Sequence, residues 1–273
     1  MNAPLAGAHA ALATVAVHRW NGASGLSQFD DVAEEVPVAL EYNGIAHAVM
    51  LASPTDLEDF ALGFSLSEGI IAGSSELHDC DVMAGPDGIR VALRIATARF
   101  AALKDRRRNL TGRTGCGLCG TESLQHAVRI PPVVASSACF SAAELEAAFR
   151  QMESMQGLQH RTGATHAAAW LAPGCAIEHV REDVGRHNAL DKLLGALASR
   201  RADFSSGAVL VTSRASYEMV QKAATLGVGM LAAVSAPTGL AVRLAETAGI
   251  SLAGFVRRQG HVVYAHGHRI TQP

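Results

Sequence analysis

Two cysteines in a glycine-rich loop, Gly115-Cys-Gly-Leu-Cys-Gly120, are the residues best suited to chemistry. A Cys-x-x-Cys pair serves metal binding, dithiol redox chemistry or sulfur carriage, and spacing alone ranks the three equally. A structural zinc site takes four ligands, yet Cys80, Cys139 and Cys175 are scattered, and the spacing of His78 and Cys80 gives no support. Zinc deaminases combine His-x-Glu with Pro-Cys-x-x-Cys. None of the twelve histidines here has Glu two positions on, and Gly115 precedes Cys116. A thioredoxin-type pair sits at a helix N-terminus, where the dipole lowers the thiol pKa. Glycines flanking both cysteines favour a mobile loop instead, which suits a thiol that accepts sulfur at one protein and releases it at another. Lys104, Arg106, Arg107, Arg108 and Arg113 lie just upstream against Asp105. They either supply positive potential that favours thiolate or form a solvated helix face.

A second concentration of polar groups is Arg181-Glu-Asp-Val-Gly-Arg-His-Asn-Ala-Leu-Asp-Lys192. Here Asp183 can accept from backbone N–H groups at a helix start, and Arg186 and His187 can face a ligand. The plain alternative is a capped helix with surface charges. Three more clusters follow apolar strands: Thr212-Ser-Arg-Ala-Ser-Tyr-Glu218, Ser235-Ala-Pro-Thr238 and Phe255-Val-Arg-Arg-Gln-Gly260. Open α/β sheets bind ligands at the carboxyl ends of strands, and helix N-termini favour phosphate. Arg214 with Arg257 or Arg258 can grip phosphate oxygens, while Ser213, Ser216 and Thr238 offer hydroxyls or caps. Each hydroxyl alone reads as an N-cap; the three strand ends together suggest a nucleotide- or phosphate-bearing ligand. There is no Walker loop and no Gly-x-Gly-x-x-Gly, which excludes an ordinary ATP or NAD site. His166 reads equally as a ligand contact or a core histidine. Lys222 reads more readily as a solvated lysine than as a phosphate contact.

The elements that must position these groups are legible in outline. Val36–Tyr42 and Ile45–Ala52 flank Asn43-Gly44, a hairpin signal. Thr55 and Glu58 read as a capping box opening an amphipathic helix that Gly69 ends. A second hairpin turns at Asp87-Gly88, and Phe100–Arg108 reads as a short helix. Ser141 and Glu144 form another capping box, before Leu145, Ala148, Phe149, Met152 and Met155 at helical spacing, with Gly157 as the stop. From residue 159 strands and helices alternate: His166–Leu171 and Ala176–Val180 about Pro173-Gly174, helix His187–Ala198, strand Gly207–Thr212, helix Ser216–Leu226, strand Met230–Ser235, helix Thr238–Ala248 and strand Ile250–Val256. That alternation predicts parallel pairing with right-handed crossovers. The expected fold class is α/β, with an α+β front half. The expected division is a loose leader over residues 1–34, an α+β domain over 35–158 that includes the loop at 111–120, and an α/β domain over 159–273.

Bulk properties bound the function. An apolar content of 49% against 18% charged residues supports a large core rather than disorder. A net charge of −2 offers no global attraction to nucleic acid or anionic lipid. The alanine-rich start lacks the basic residues of a signal peptide, and no stretch is apolar enough to span a bilayer. Five cysteines with one close pair fit a reducing, cytoplasmic compartment. Cys80, Cys139 and Cys175 are expected as buried thiols.

These pieces, in this order, resemble the FdhD family, the formate dehydrogenase accessory sulfurtransferases. The resemblance is carried by Glu35-Val-Pro-Val38, Asn43-Gly44, Pro54-Thr-Asp-Leu57, Asp59-Phe-Ala-Leu-Gly-Phe64, Glu68-Gly-Ile-Ile71, Gly115–Gly120, Thr162-Gly-x-x-His166, Arg181–Asn188, Ser213–Glu218, Ser235–Thr238 and Gly254-Phe-x-Arg257. Each motif is weak alone; the ordered series is specific. It departs at Ser213, where family members often carry Gly. The resemblance implies a back half similar to the three-layer α/β/α fold of cytidine deaminases without the zinc site. It also implies a homodimer that takes persulfide sulfur from a cysteine desulfurase and passes it to molybdenum held by bis-molybdopterin guanine dinucleotide, for formate dehydrogenase. The carrier cysteine maps to Cys116 and its partner to Cys119. The cofactor stretch maps to Phe255, Val256, Arg257, Arg258, Gln259 and Gly260. Ser213, Arg214, Thr238, His187 and Asp183 join it from the strand-end reading, and GDP is expected to mimic part of the ligand. The alternatives are a cofactor-holding chaperone with structural cysteines and a zinc-stabilised regulatory protein.

Overall fold

The computed structural model describes residues 9–111, 131–257 and 260–271, with side chains from 106 to 111 left aside. In chain order the elements are β1 Leu12–Asn21, β2 Ser24–Ala33, β3 Val36–Tyr42, β4 Ile45–Ala52, α1 Leu57–Ser67, β5 Leu77–Gly85, β6 Gly88–Ile95 and α2 Thr97–Thr111. From residue 131 on come β7 Phe140–Ser141, α3 Ala142–Ser154, α4 Gly157–Thr162, β8 His166–Leu171, β9 Ile177–Asp183 and α5 Arg186–Ser199. The chain continues through β10 Ala208–Val211, α6 Tyr217–Thr225, β11 Met230–Ala233, α7 Gly239–Ala248, β12 Ser251–Arg257, β13 Gly260–Ala265 and β14 Ile270–Thr271. The fold is mixed α/β.

The front unit is a four-stranded sheet in the order β4-β3-β6-β5. Val36, Val38, Leu40 and Tyr42 alternate inward along β3, the period of a half-buried strand. They pack on α1, which is apolar and buried nearly all round because α5 covers its other side. The two helices cross at glycines. A Cβ on Gly63 would lie 1.8 Å from the Asp191 carbonyl oxygen, and one on Gly195 would lie 1.8 Å from that of Asp59. Only glycine at both positions lets these backbones meet.

The back unit is a six-stranded sheet in the order β13-β12-β11-β10-β8-β9 between two helical layers. Trp170, Val209, Val211, Leu231 and Leu252 face α5, α6 and α7. Leu171, Leu210, Met230 and Ala253 face α3 on the other side. Strands covered on both faces read as continuous apolar runs, as these do.

Several expectations need correction. Where a loose leader was expected, β1 and β2 form an antiparallel hairpin of ten pairs, from Leu12↔Ala33 to Asn21↔Ser24. Its turn is Gly22-Ala23, with Gly22 at φ 62°, so Asn21-Gly22 sits one position earlier than the Asn43-Gly44 pair that turns β3 into β4. Within the six-stranded sheet, parallel pairing holds for β10–β11–β12 alone; β8 pairs antiparallel with both β9 and β10, and β12 with β13. The tight Pro173-Gly174 turn leaves no room for a crossover. β13 was not foreseen. The Thr55–Glu58 box does not form: Asp56 is the N-cap, with φ 51° and no capping side chain, while Thr55 instead faces Lys192 Nζ at 3.3 Å. The Ser141–Glu144 box does form. Gly157 opens α4 instead of ending α3, and Met155 at the end of α3 is exposed. Cys139 is exposed, and Cys80 and Cys175 are only partly buried.

Candidate functional site at the strand ends

Strand direction gathers the polar clusters on one edge. β10, β11 and β12 run parallel, so the loops Thr212–Ser216 and Ser235–Thr238 and the stretch from Phe255 leave from the same end of the sheet. β8 runs against β10, which brings its first residue, His166, to that end, opposite Asp183 at the close of β9. At about 4.8 Å between strands, the loops line roughly 14 Å from β8 to β12.

The loops are tied to one another by backbone. Ala215 and Pro237 form a parallel bridge, Thr238 N–H donates to Ala215 O at 3.0 Å, and Phe255 N–H donates to Ser235 O at 3.4 Å. Thr238 Oγ1 accepts from Ala241 N–H at 3.3 Å, capping α7. Ser213 is buried and its hydroxyl donates to the Arg214 carbonyl at 3.0 Å, so it is turned away from solvent. Arg214 is exposed. Val256 packs its side chain into the core. Phe255 adopts φ 53°, leaving its ring exposed, with the Arg257 guanidinium 5.9 Å from the ring centroid. Gly260 follows with φ 136°. Arg258 and Gln259 lie outside the described residues, as do Cys116, Cys119 and Arg113.

His187, in the first turn of α5, joins two of the sequence motifs. Its Nε2 lies 2.7 Å from Glu218 Oε2 and 3.5 Å from Ser216 Oγ. Burial pulls its pKa below the ordinary histidine value, against the Glu218 carboxylate and with help from Arg186 and Lys222. His166, half-buried, is pulled down by burial and by Arg186. Arg186 Nε is itself buried without a hydrogen-bond partner among the described residues. Glu218 was present in the sequence reading only as the last residue of its cluster; the helix-start position of both residues is the signal that pairs them.

The rest of the Arg181–Lys192 passage turns inward. Arg181 Nη2 lies 2.7 Å from Asp59 Oδ2. Asp183 is fully buried: Oδ2 takes the Lys192 ammonium at 2.7 Å and Ser53 N–H at 3.0 Å, and Oδ1 takes Gly185 N–H at 2.8 Å. Its carboxylate is thus committed to holding α5 on the front unit, not to a ligand. Asn188 Nδ2 donates to Leu51 O at 2.8 Å. Lys222, expected on the surface, is buried, with Nζ 2.9 Å from both Asp191 Oδ2 and Glu68 Oε1. Burial opposes its charge, but those two carboxylates win and raise its pKa.

Two of the described thiols, Cys80 and Cys175, are poor nucleophiles. Cys80 is pushed up to about 11, chiefly by burial. Cys175 is pushed up to about 11, first by its hydrogen bond to Glu144. Among the described residues no three His, Cys, Asp or Glu side chains gather as metal ligands, and no helix is long and apolar enough to cross a membrane.

Fold and edge together define a mixed α/β protein with an anion-suited strand-end surface on a three-layer unit. The chain belongs to the FdhD/NarQ family, whose model matches residues 33–271. It is 63% identical over 257 residues to the sulfur carrier protein FdhD of Cupriavidus necator, covering 94% of this chain and 89% of that one. It is 56% identical to the sulfur carrier protein FdhD of Variovorax paradoxus, covering 91% of each. A crystal structure from Desulfotalea psychrophila, under the provisional name formate dehydrogenase accessory protein, superposes with a TM-score of 0.75. It is 23% identical and covers 96% of this chain and all of that one, a likeness of fold.

Proposed function

We propose that this chain is a cytoplasmic sulfurtransferase that carries persulfide sulfur on Cys116 from a cysteine desulfurase to the molybdenum of bis-molybdopterin guanine dinucleotide, for formate dehydrogenase. The observation that carries the reading is the 63% identity to a sulfur carrier protein over 94% of the chain, within a family match that includes Gly115–Gly120. The raised thiols of Cys80 and Cys175 support it, because a sulfur carrier attacks as thiolate.

In loading, the Cys116 thiolate attacks the terminal sulfur of the desulfurase persulfide. A bond forms from Cys116 Sγ to that sulfur, the bond to the desulfurase cysteine breaks, and that cysteine leaves as thiolate with no net redox change. In delivery, the Cys119 thiolate attacks Cys116 Sγ. The Cys116–Cys119 disulfide forms and the carried sulfur departs as hydrosulfide, its two electrons supplied by the dithiol. The strand-end edge supports the ligand half of the proposal. Arg214 and Arg257 are exposed cations on an edge of nucleotide length, and the ring of Phe255 offers a stacking face. The proposal includes a homodimer.

Intact-protein mass spectrometry after incubation with a cysteine desulfurase and L-cysteine tests the carrier step. Wild type is expected to gain one sulfur, removable by reductant, and Cys116→Ala to gain none while still binding GDP. Full formate dehydrogenase activation by Cys116→Ala would overturn the assignment. GDP binding without sulfur loading in wild type would make the chain a cofactor chaperone.

A further inference from the structure

We propose that Arg186, set between His166 and His187 at the start of α5, is the cation that holds a phosphate group at the strand-end edge, and that the two histidines take up protons when that phosphate binds. This rests on the nucleotide half of the proposal above and is independent of the sulfur chemistry.

Arg186 differs from the other cations of its neighbourhood. Arg181 Nη2 lies 2.7 Å from Asp59 Oδ2, Lys192 Nζ 2.7 Å from Asp183 Oδ2, and Lys222 Nζ 2.9 Å from both Asp191 Oδ2 and Glu68 Oε1. Each of these charges has a carboxylate. Arg186 is half-buried with its Nε fully covered, and among the described residues its guanidinium has no hydrogen-bond or carboxylate partner. A charge taken from water without a counter-charge is costly, so an arriving anion stabilises this guanidinium more than it would a solvated one. The planar fork of N–H donors matches phosphate oxygens.

The backbone favours the same ligand. Gly185 and Ser216, the N-caps of α5 and α6, supply no capping side-chain bond, whereas Thr238 caps α7. The positive dipole ends of α5 and α6 meet at this edge, where His187 Nε2 lies 3.5 Å from Ser216 Oγ. His166 begins β8 on the face that Ala168 and Trp170 turn toward α5, which puts it beside Arg186.

The charges around the histidines set the sign of the proton linkage. His187 faces Glu218 and Lys222 from α6, Glu68 from the end of α1 and Arg186 from its own helix; Asp191, one turn below, is already paired with Lys222. Burial first, with Arg186 adding to it, pulls both histidines toward the neutral form. A phosphate on Arg186 offsets that charge, so both bind protons more tightly in the complex and titrate at higher pH. Glu218, 2.7 Å from His187 Nε2, is the counter-charge for the imidazolium.

The test uses the full chain with GDP and with inorganic pyrophosphate, by calorimetry and by NMR of the histidine ring protons. Arg186→Gln is expected to weaken both ligands about 10- to 100-fold, the range of one charge-assisted hydrogen bond. Arg186→Lys, which keeps the charge without the fork, is expected to lose less. In wild type, His166 and His187 should titrate at higher pH with pyrophosphate bound than without it. Unchanged affinities in Arg186→Gln overturn the assignment. Histidine titrations indifferent to bound pyrophosphate overturn it too, and need no variant that folds. If neither GDP nor pyrophosphate binds wild type, the nucleotide half of the proposed function falls together with this inference, and the sulfur-carrier half stands.

Discussion

The joint between the two units takes its charges from Arg181–Lys192 and the strand-end edge takes its own from Thr212–Glu218 and Phe255–Gly260, and the two regions use them in opposite ways. At the joint, Asp183, Asp191 and Lys192 are buried and paired, packed beside the backbone contact of Gly63 with Gly195. At the edge, Arg214 and Arg257 are exposed, and Glu218 has a side chain 57% open to solvent. His187 stands between them, half-buried with one contact to Glu218. A dense polar motif therefore need not be a ligand site throughout: position relative to the interior decides which charges brace and which remain available.

The sharpest way to break this contrast is at the joint. Gly195→Ala places a Cβ where the Asp59 carbonyl already sits. Overpacking costs about 1–3 kcal/mol and more where backbone must move, so a loss of at least about 3 kcal/mol is expected in denaturant unfolding, with loss of the folded chain a consistent outcome. A cost below about 1 kcal/mol would mean that the helices can separate freely. Next in size, Lys192→Met leaves Asp183 buried without its cation, which costs about 3–5 kcal/mol. The double variant with Asp183→Asn should recover much of that loss, because both charges are gone while the side-chain oxygen still accepts from Gly185 N–H and Asn188 Nδ2. Equal losses in single and double variants would show that Lys192 acts through packing alone. The smallest effect on stability is expected at the edge. Arg214→Ala and Arg257→Ala should each change unfolding stability by under about 0.5 kcal/mol. Each should weaken GDP binding about 10- to 100-fold in calorimetry, the worth of one charge-assisted hydrogen bond. Unchanged GDP affinity in both would remove the edge from the ligand site.

Local signals in the chain were enough for much of this protein. Asn43-Gly44 set the β3–β4 hairpin, Ser141 with Glu144 set the start of α3, and the alternating apolar segments of the back half set its strands and helices. Such features are decided within a few residues by turn geometry, capping and hydrophobic period. The motif series from Glu35 to Arg257 likewise carried the family, because order and identity of residues survive without coordinates. Tertiary structure alone decided the rest. Whether Lys222 is solvated or locked between Asp191 and Glu68 depends on α1, α5 and α6 meeting, and those residues lie far apart in sequence. The antiparallel β8, between β10 and the edge strand β9, brings His166 to the strand-end edge and depends on strand order, to which a period-two pattern is blind. Burial, pairing and direction are properties of the assembled chain, since the energy of a charge depends on what surrounds it and not on its place in the sequence.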